Sequence, residues 1–309
     1  MIKKIIPAFF CLIVNITTVA QKSADSVVNI GKKSITLSEV VVNNKLNIPM
    51  FIERIKNDTS FYKAFRNLHI LGFTAINDIR MNTSEGKMKA GLHSKTKQLR
   101  IGNCRSMETI EEQVTGDIYD ENRNFNYYTA QMYASLFFTK DSVCGEDNIV
   151  SGRAFSTSGK SGMEKHKEQL KMLFFNPGKK INGIPFISSK TAIYEDEMAD
   201  YYNMSIDIGI YNNTNCYIFI QKVKPGNKGD VVIDEMKTWF DDRTFEVLGR
   251  NYSLSYDAAV YDFNVTMEVV MSRFGEFLVP SLIRYNGNWK AVFKPRERGV
   301  FTATLFDFK

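Results

Sequence analysis

Gly159-Lys160-Ser161 is where the chain comes nearest to a reactive loop. A serine nucleophile on a strand-to-helix elbow needs Gly-x-Ser-x-Gly, and "GKSGM" (Gly159–Met163) lacks that order. A phosphate loop needs an earlier glycine at the position held by Ala154, so no nucleotide is expected to bind. Ser161 with Glu164 fits a helix capping box instead. Asp120, Asn122 and Asn124 have calcium-loop spacing, but Phe125 replaces the turn glycine and Gln131 the bidentate acid. They read as a polar turn. The acids Glu195-Asp196-Glu197 and Asp241-Asp242 lie in loop-like text and read as solvated, because acid/base work needs an apolar pocket that lifts one carboxyl. His69, His93 and His166 share no metal or catalytic spacing, and His69 falls on an apolar stripe, as a core histidine would. No Cys-x-x-Cys occurs. These residues predict no catalytic group, no metal and no cofactor.

The elements around them are mostly strands. Pro49 opens a helical region in which Ile48, Phe51, Ile55, Tyr62, Phe65 and His69 recur at spacings of three, four and seven; Asp58 is placed to break it in two. From Phe73 the period is two: Phe73, Ala75, Ile79 and Met81 lead into "TSEG", and Met88, Ala90 and Leu92 lead back. Residues 125–140 fit either period. A second helix is expected from Met163 to Phe174, stopped by Asn176-Pro177-Gly178. Beyond it Tyr202 to Ile210, Tyr252 to Tyr256 and Tyr261 to Met271 alternate, and Asn286-Gly287 carries the strongest hairpin signal. The fold class this predicts is α+β: an antiparallel meander curled into an incomplete β-barrel, with helices across the concave face.

The start of the chain, "MIKKIIPAFFCLIVNITTVAQ", has two lysines, a short apolar run and small residues before Gln21, which predicts a signal peptide over 1–20. Residues 21–46 read as an extended tether and 47–309 as the folded domain. The 309 residues carry a net charge of +6; without Lys3 and Lys4, 38 basic residues face 34 acidic ones, or +4. So small an excess predicts no nucleic-acid partner. Export to the periplasm or outer membrane would place Cys104, Cys144 and Cys216 in an oxidising compartment. Cys104–Cys144 is the expected disulfide, with three unpaired thiols the open alternative.

The text "TWFDDRTFEVLGRNYSLSY" (Thr238–Tyr256), then "VYDFNVTMEVVM" and "VPSLIRYNGNWKAVFKPRERGVFTATLFDF", resembles exported envelope proteins of Bacteroidota related to the lipoprotein-localisation carriers (LolA/LolB-like). Trp239-Phe240-Asp241 and the run Phe245–Tyr256 correspond to that superfamily's turn and following strand. The resemblance implies a half-barrel with a cavity for lipid or lipoprotein acyl chains, no cofactor, no enzymatic step and peripheral contact with a membrane. The candidate lining is Tyr252, Leu254, Tyr256, Phe263, Val265, Met267, Val269, Met271, Trp289 and Phe293. By periodicity alone the same stripe is the ordinary core face of a sheet. "ITLSEVVV" resembles the strand before the plug of TonB-dependent outer-membrane receptors. It supports a second expectation: a structural or interaction protein of the outer membrane whose core is filled by its own helices.

Overall fold

A computed structural model describes residues 25–43, 46–150, 172–181, 187–257, 261–291 and 295–309. The expected signal peptide, the loop and cap around Ser161, and Phe293 lie outside them. Among the described residues one sheet of 13 strands runs in the order β1-β2-β7-β8-β9-β10-β11-β12-β13-β3-β4-β5-β6, and β1 and β6 end it without pairing to each other. Neighbours are antiparallel except β2 with β7, so the sheet is mixed. It is an α+β incomplete barrel. Its interior is the face on which the alternating apolar residues converge.

The strands follow from period-two patterning. β10 (Val247–Asp257) and β11 (Tyr261–Phe274) turn Tyr252, Leu254, Tyr256, Phe263, Val265, Met267, Val269 and Met271 inward, all buried. Asn264 and Thr266 between them are exposed. β3 (Phe73–Asn82), β4 (Met88–Ile101) and β5 (Cys104–Thr115) continue the sheet through β13 (Glu297–Phe306). β7 (Tyr202–Tyr211), β8 (Thr214–Val223) and β9 (Ile233–Asp241) complete its other arm.

Two expectations are corrected. Asn286-Gly287 does not turn the chain: it lies inside β12 (Phe277–Ala291), and the β11–β12 turn is at Gly275, whose φ is +58°. Gly287 is there for room. A Cβ on it would sit 2.6 Å from Tyr285 Oη and 2.8 Å from Val265 Cγ2, so the missing side chain lets the Tyr285 ring lie over the strand. Pro280, also within β12, is tolerated because the register shifts there, between Val270 and Met271 of the partner strand. The second correction concerns the tether. Over 26–43 the chain is part of the sheet: β1 (Ser26–Ile30) and β2 (Lys33–Leu37) form a hairpin, β2 pairs with β7, and α1 (Glu39–Asn43) follows. Ile35, Leu37 and Val41 are buried, and Lys33 Nζ lies 2.6 Å from Asp196 Oδ1. Three apolar side chains at inward positions outweigh the polar setting that made the segment read as a linker.

The helices cross the concave side. α2 (Ile48–Asn57) is capped by Asn47, whose side chain accepts from Met50 N–H at 3.1 Å. Its Phe51 ring meets Tyr217, Phe219 and Phe240 edge-on. α3 (Ser60–Asn67) begins after Asp58, which accepts from Ser60 N–H; it buries Phe61 and Phe65, and Phe61 meets Tyr252. Residues 125–140, open in the sequence, hold α4 (Tyr128–Phe137). No described helix is long and apolar enough to cross a membrane.

α4 is held by a residue far along the chain. The Glu297 carboxylate on β13 accepts from Tyr128 N–H at 2.8 Å, Thr129 N–H at 2.7 Å and Thr129 Oγ1–H at 2.6 Å. A buried acid thus occupies a helix N-terminus, where the free N–H groups and the dipole favour it. Replacing Glu297 with Gln keeps the shape but loses the charge and turns one acceptor into a donor facing N–H groups. We expect a loss of about 2 kcal/mol in urea denaturation. An unchanged midpoint would show that α4 is anchored by its apolar side alone.

A candidate ligand cavity between two helices and the sheet

α3 and α4 do not meet edge to edge. Between them, above the ends of β3, β4 and β5, lies a cavity of about 310 Å³. Its apolar wall is aromatic: Phe65 of α3, Phe137 of α4 and Phe175 converge, with ring centroids 4.3 Å apart for Phe65–Phe175 and 6.1 Å for Phe137–Phe175. Tyr62, Leu68, Phe73, Leu136 and Phe138 complete it. The amphipathic spacing of α3 places Tyr62 and Phe65 on this side, and His69, two residues past its end, falls beside them.

The remaining wall is polar and charged. Gln98 on β4 is buried and its amide is fully used: Nε2 donates to the carbonyls of Leu68 and Leu71 at 2.6 and 2.7 Å, closing the end of α3. Its Oε1 accepts from Arg105 and from Thr139 Oγ1, at 3.1 and 2.9 Å. Arg105 also donates to Thr139 and to the Glu146 carboxylate. His69 Nδ1 lies 2.9 Å from the other Glu146 oxygen. Arg66 gives Nη2 to Asp147, while its buried Nε–H has no acceptor among the described residues.

The disulfide explains why Glu146 is here. Cys104 and Cys144 are bonded and face each other across β5 and the two-residue β6 (Val143–Cys144), Cα to Cα 3.9 Å. Arg105 pairs with Val143 in the next register position. The bond fixes the chain just before Glu146 beside Arg105. Cys216, the remaining described cysteine, is buried and free.

Burial lowers the His69 pKa to about 4, helped by the charges of Arg105 and Arg66 and opposed by Glu146. The imidazole is therefore neutral at pH 7. Burial works to raise the Glu146 pKa, but the Arg105 hydrogen bond and the nearby positive charges bring it below the usual carboxylate range. Both shifts act in the same direction. The folded state resists a proton that the unfolded chain accepts, so stability present at neutral pH is lost as pH falls from about 6.5 towards 4. We expect His69 to contribute about 2 kcal/mol of the loss between pH 7 and 4.5. Denaturation midpoints of wild type and His69→Gln at the two pH values measure it; equal acid sensitivity would remove His69 from the account.

The lining expected from sequence is placed elsewhere. Tyr252, Leu254, Tyr256, Phe263, Val265, Met267, Val269, Met271 and Trp289 are all buried on the concave face, and none lines this cavity. Phe61 covers Tyr252, and the Tyr252 hydroxyl donates to the Phe174 carbonyl. Phe174 meets Tyr285 and Trp289, and Trp289 stacks on Phe263 at 4.6 Å. Asp120, at the spacing weighed for calcium, accepts the backbone N–H groups of Asn122 and Asn124, as a polar turn does. Among the described residues no group of His, Cys, Asp and Glu could hold a metal ion. Sequence reading missed Arg66, Arg105, Glu146, Phe137 and Phe175. The one signal available was the expected Cys104–Cys144 bond, which makes Arg105 and Glu146 neighbours. A wider hollow of about 810 Å³, on the outer face by Lys95, Lys97, Arg100 and Lys309, lacks an aromatic wall of this kind.

No family model matches the chain, and no curated protein matches its sequence. Among solved structures it resembles an outer membrane lipoprotein-sorting protein domain from Vibrio parahaemolyticus. That likeness is 8% identical, covers 81% of this chain and 91% of the other, and has a TM-score of 0.27. It also resembles a DUF1329 family protein from Desulfovibrio piger, 11% identical over 81% of this chain and 93% of the other, with a TM-score of 0.26.

Proposed function

We propose that this is a non-enzymatic binding protein of the cell envelope that holds a lipid or a lipidated chain. The observation that carries the reading is the 310 Å³ cavity, walled by Phe65, Phe137 and Phe175 on one side and charged on the other. Its volume falls at the small end of ligand sites, and apolar walls with a few fixed polar groups are what such sites have. Each CH₂ removed from water there contributes roughly 0.8 kcal/mol. Beneath α3 the apolar face continues to Tyr252, where Phe61 packs on it. Export to the periplasm or outer membrane is supported by the pattern of the first twenty residues and by the disulfide, which belongs in an oxidising compartment.

One observation favours the second reading, an interaction protein with a filled core: Phe61 and Phe174 already pack on the strand face predicted to hold ligand. One experiment separates the two. Organic extracts of the purified mature protein are analysed by mass spectrometry, and the stripped protein is offered a fluorescent fatty acid. Binding at one or two equivalents is the expected result. A clean extract with no uptake would overturn the first reading and leave the second.

A further inference from the structure

The charges around the cavity cancel, and that says what kind of lipid it takes, given the binding function just proposed. Arg105 lies against the Glu146 carboxylate, and Arg66 Nη2 lies 3.2 Å from Asp147. His69 adds no charge, being neutral at pH 7. No other described residue lining the cavity is charged. A charged head buried here would lose its water and find no unpaired charge to meet it. His69 supplies the second observation. A neutral imidazole has one N–H and one lone pair. Nδ1 lies 2.9 Å from a Glu146 oxygen, so the N–H sits there, because a lone pair would repel the carboxylate. Nε2 is then the acceptor, and no described residue donates to it. Nδ1 is enclosed, so the 27% of the side chain that stays exposed is left to the edge carrying Nε2, and His69 lines the cavity. The volume of 310 Å³ is too small for the several chains of a diacylated lipid and suited to the end of one.

We propose that the cavity prefers a single-chain amphiphile whose head is uncharged and donates a hydrogen bond, a hydroxyl or an amide N–H. The chain lies among Phe65, Phe137 and Phe175, and the head donates to His69 Nε2. A carboxylate enters by its chain alone. The paired charges then select against ionic heads, His69 selects for donors, and the aromatic wall treats all of them alike.

Calorimetric titration of the mature protein at pH 7 with decanol, decanamide, methyl decanoate and decanoate tests this. At least one of the two donors should bind about ten-fold more tightly than both the ester and the anion, and the tighter donor names the head group. His69→Phe should bring that donor down to the affinity of the ester; His69→Gln, whose amide oxygen still accepts, should retain part of the advantage. Glu146→Gln leaves the Arg105 charge unpaired and should raise the affinity for decanoate. If the ester or decanoate binds as tightly as both donors, if His69→Phe preserves the preference, or if Glu146→Gln leaves decanoate binding where it was, the inference fails while the cavity still stands as a lipid site. If none of the four binds, the cavity reading fails and takes this inference with it.

Discussion

Met267→Asp should abolish the folded state. Met267 is buried on the inner face of β11, opposite Tyr252 of β10 and Tyr285 of β12. The substitution removes a buried thioether chain, which by itself costs about 2–5 kcal/mol. It also leaves a carboxylate among rings, and the inner-face cation of the neighbouring strand, Arg250 of β10, is already engaged by Thr238 Oγ1 and the Phe61 ring. The group would take up a proton rather than stay charged, and the desolvation would still count against folding. A total of about 5 kcal/mol or more matches the whole stability of many domains. We expect no cooperative thermal transition and loss of the near-ultraviolet aromatic signal. Thr266→Asp, one position away on the exposed face, should cost about 1 kcal/mol or less. If both variants melt like wild type, β11 does not separate an inner from an outer face.

That contrast is also why so much of the fold could be read from sequence. Phe263 to Met271 announce a strand because each apolar residue is two positions from the next, and a sheet with one buried face enforces that period. Asn286-Gly287 misled because the same dipeptide that favours a tight turn also provides space. The competitor was the Tyr285 ring, which lies over Gly287 and accepts from Trp289 Nε1–H; the three residues are close in sequence, but what keeps them in one strand is the pairing of β12 with β11 and β13. β1 and β2 were read as linker because the parallel partner that buries Ile35 lies some 170 residues further on, at Met204. The cavity was the least legible part. Its charged wall takes Arg66 from α3, Arg105 from β5 and Glu146 from beyond β6, positions with no common period and no motif. His69 showed the limit of stripe reading: it continues the apolar spacing of α3 but lies two residues past the helix, where the stripe meets the charges.

Removing the disulfide should both destabilise the protein and disable the cavity. Cys104 and Cys144 close a loop of 40 residues, for which the chain-entropy relation gives about 4 kcal/mol. The loop contains α4, so the bond restricts an element that lines the cavity as well as the strand that ends it. Apart from the bond, β6 has only two paired residues to hold it, and the Arg105–Glu146 and Arg66–Asp147 contacts are partly exposed, where ion pairs are worth little. In Cys104→Ser/Cys144→Ser, we expect the denaturation midpoint to fall by the equivalent of about 3–4 kcal/mol. The acid-dependent part of stability assigned to His69 should shrink with it, because release of the segment carrying Glu146 would let water reach the imidazole, whose burial is the main cause of its lowered pKa. Fatty-acid uptake should weaken even under conditions where circular dichroism shows the sheet intact. Dithiothreitol on the wild-type protein should reproduce all three effects. If the double variant loses stability but binds as before, the bond serves the fold alone, and the segment carrying Glu146 does not shape the site.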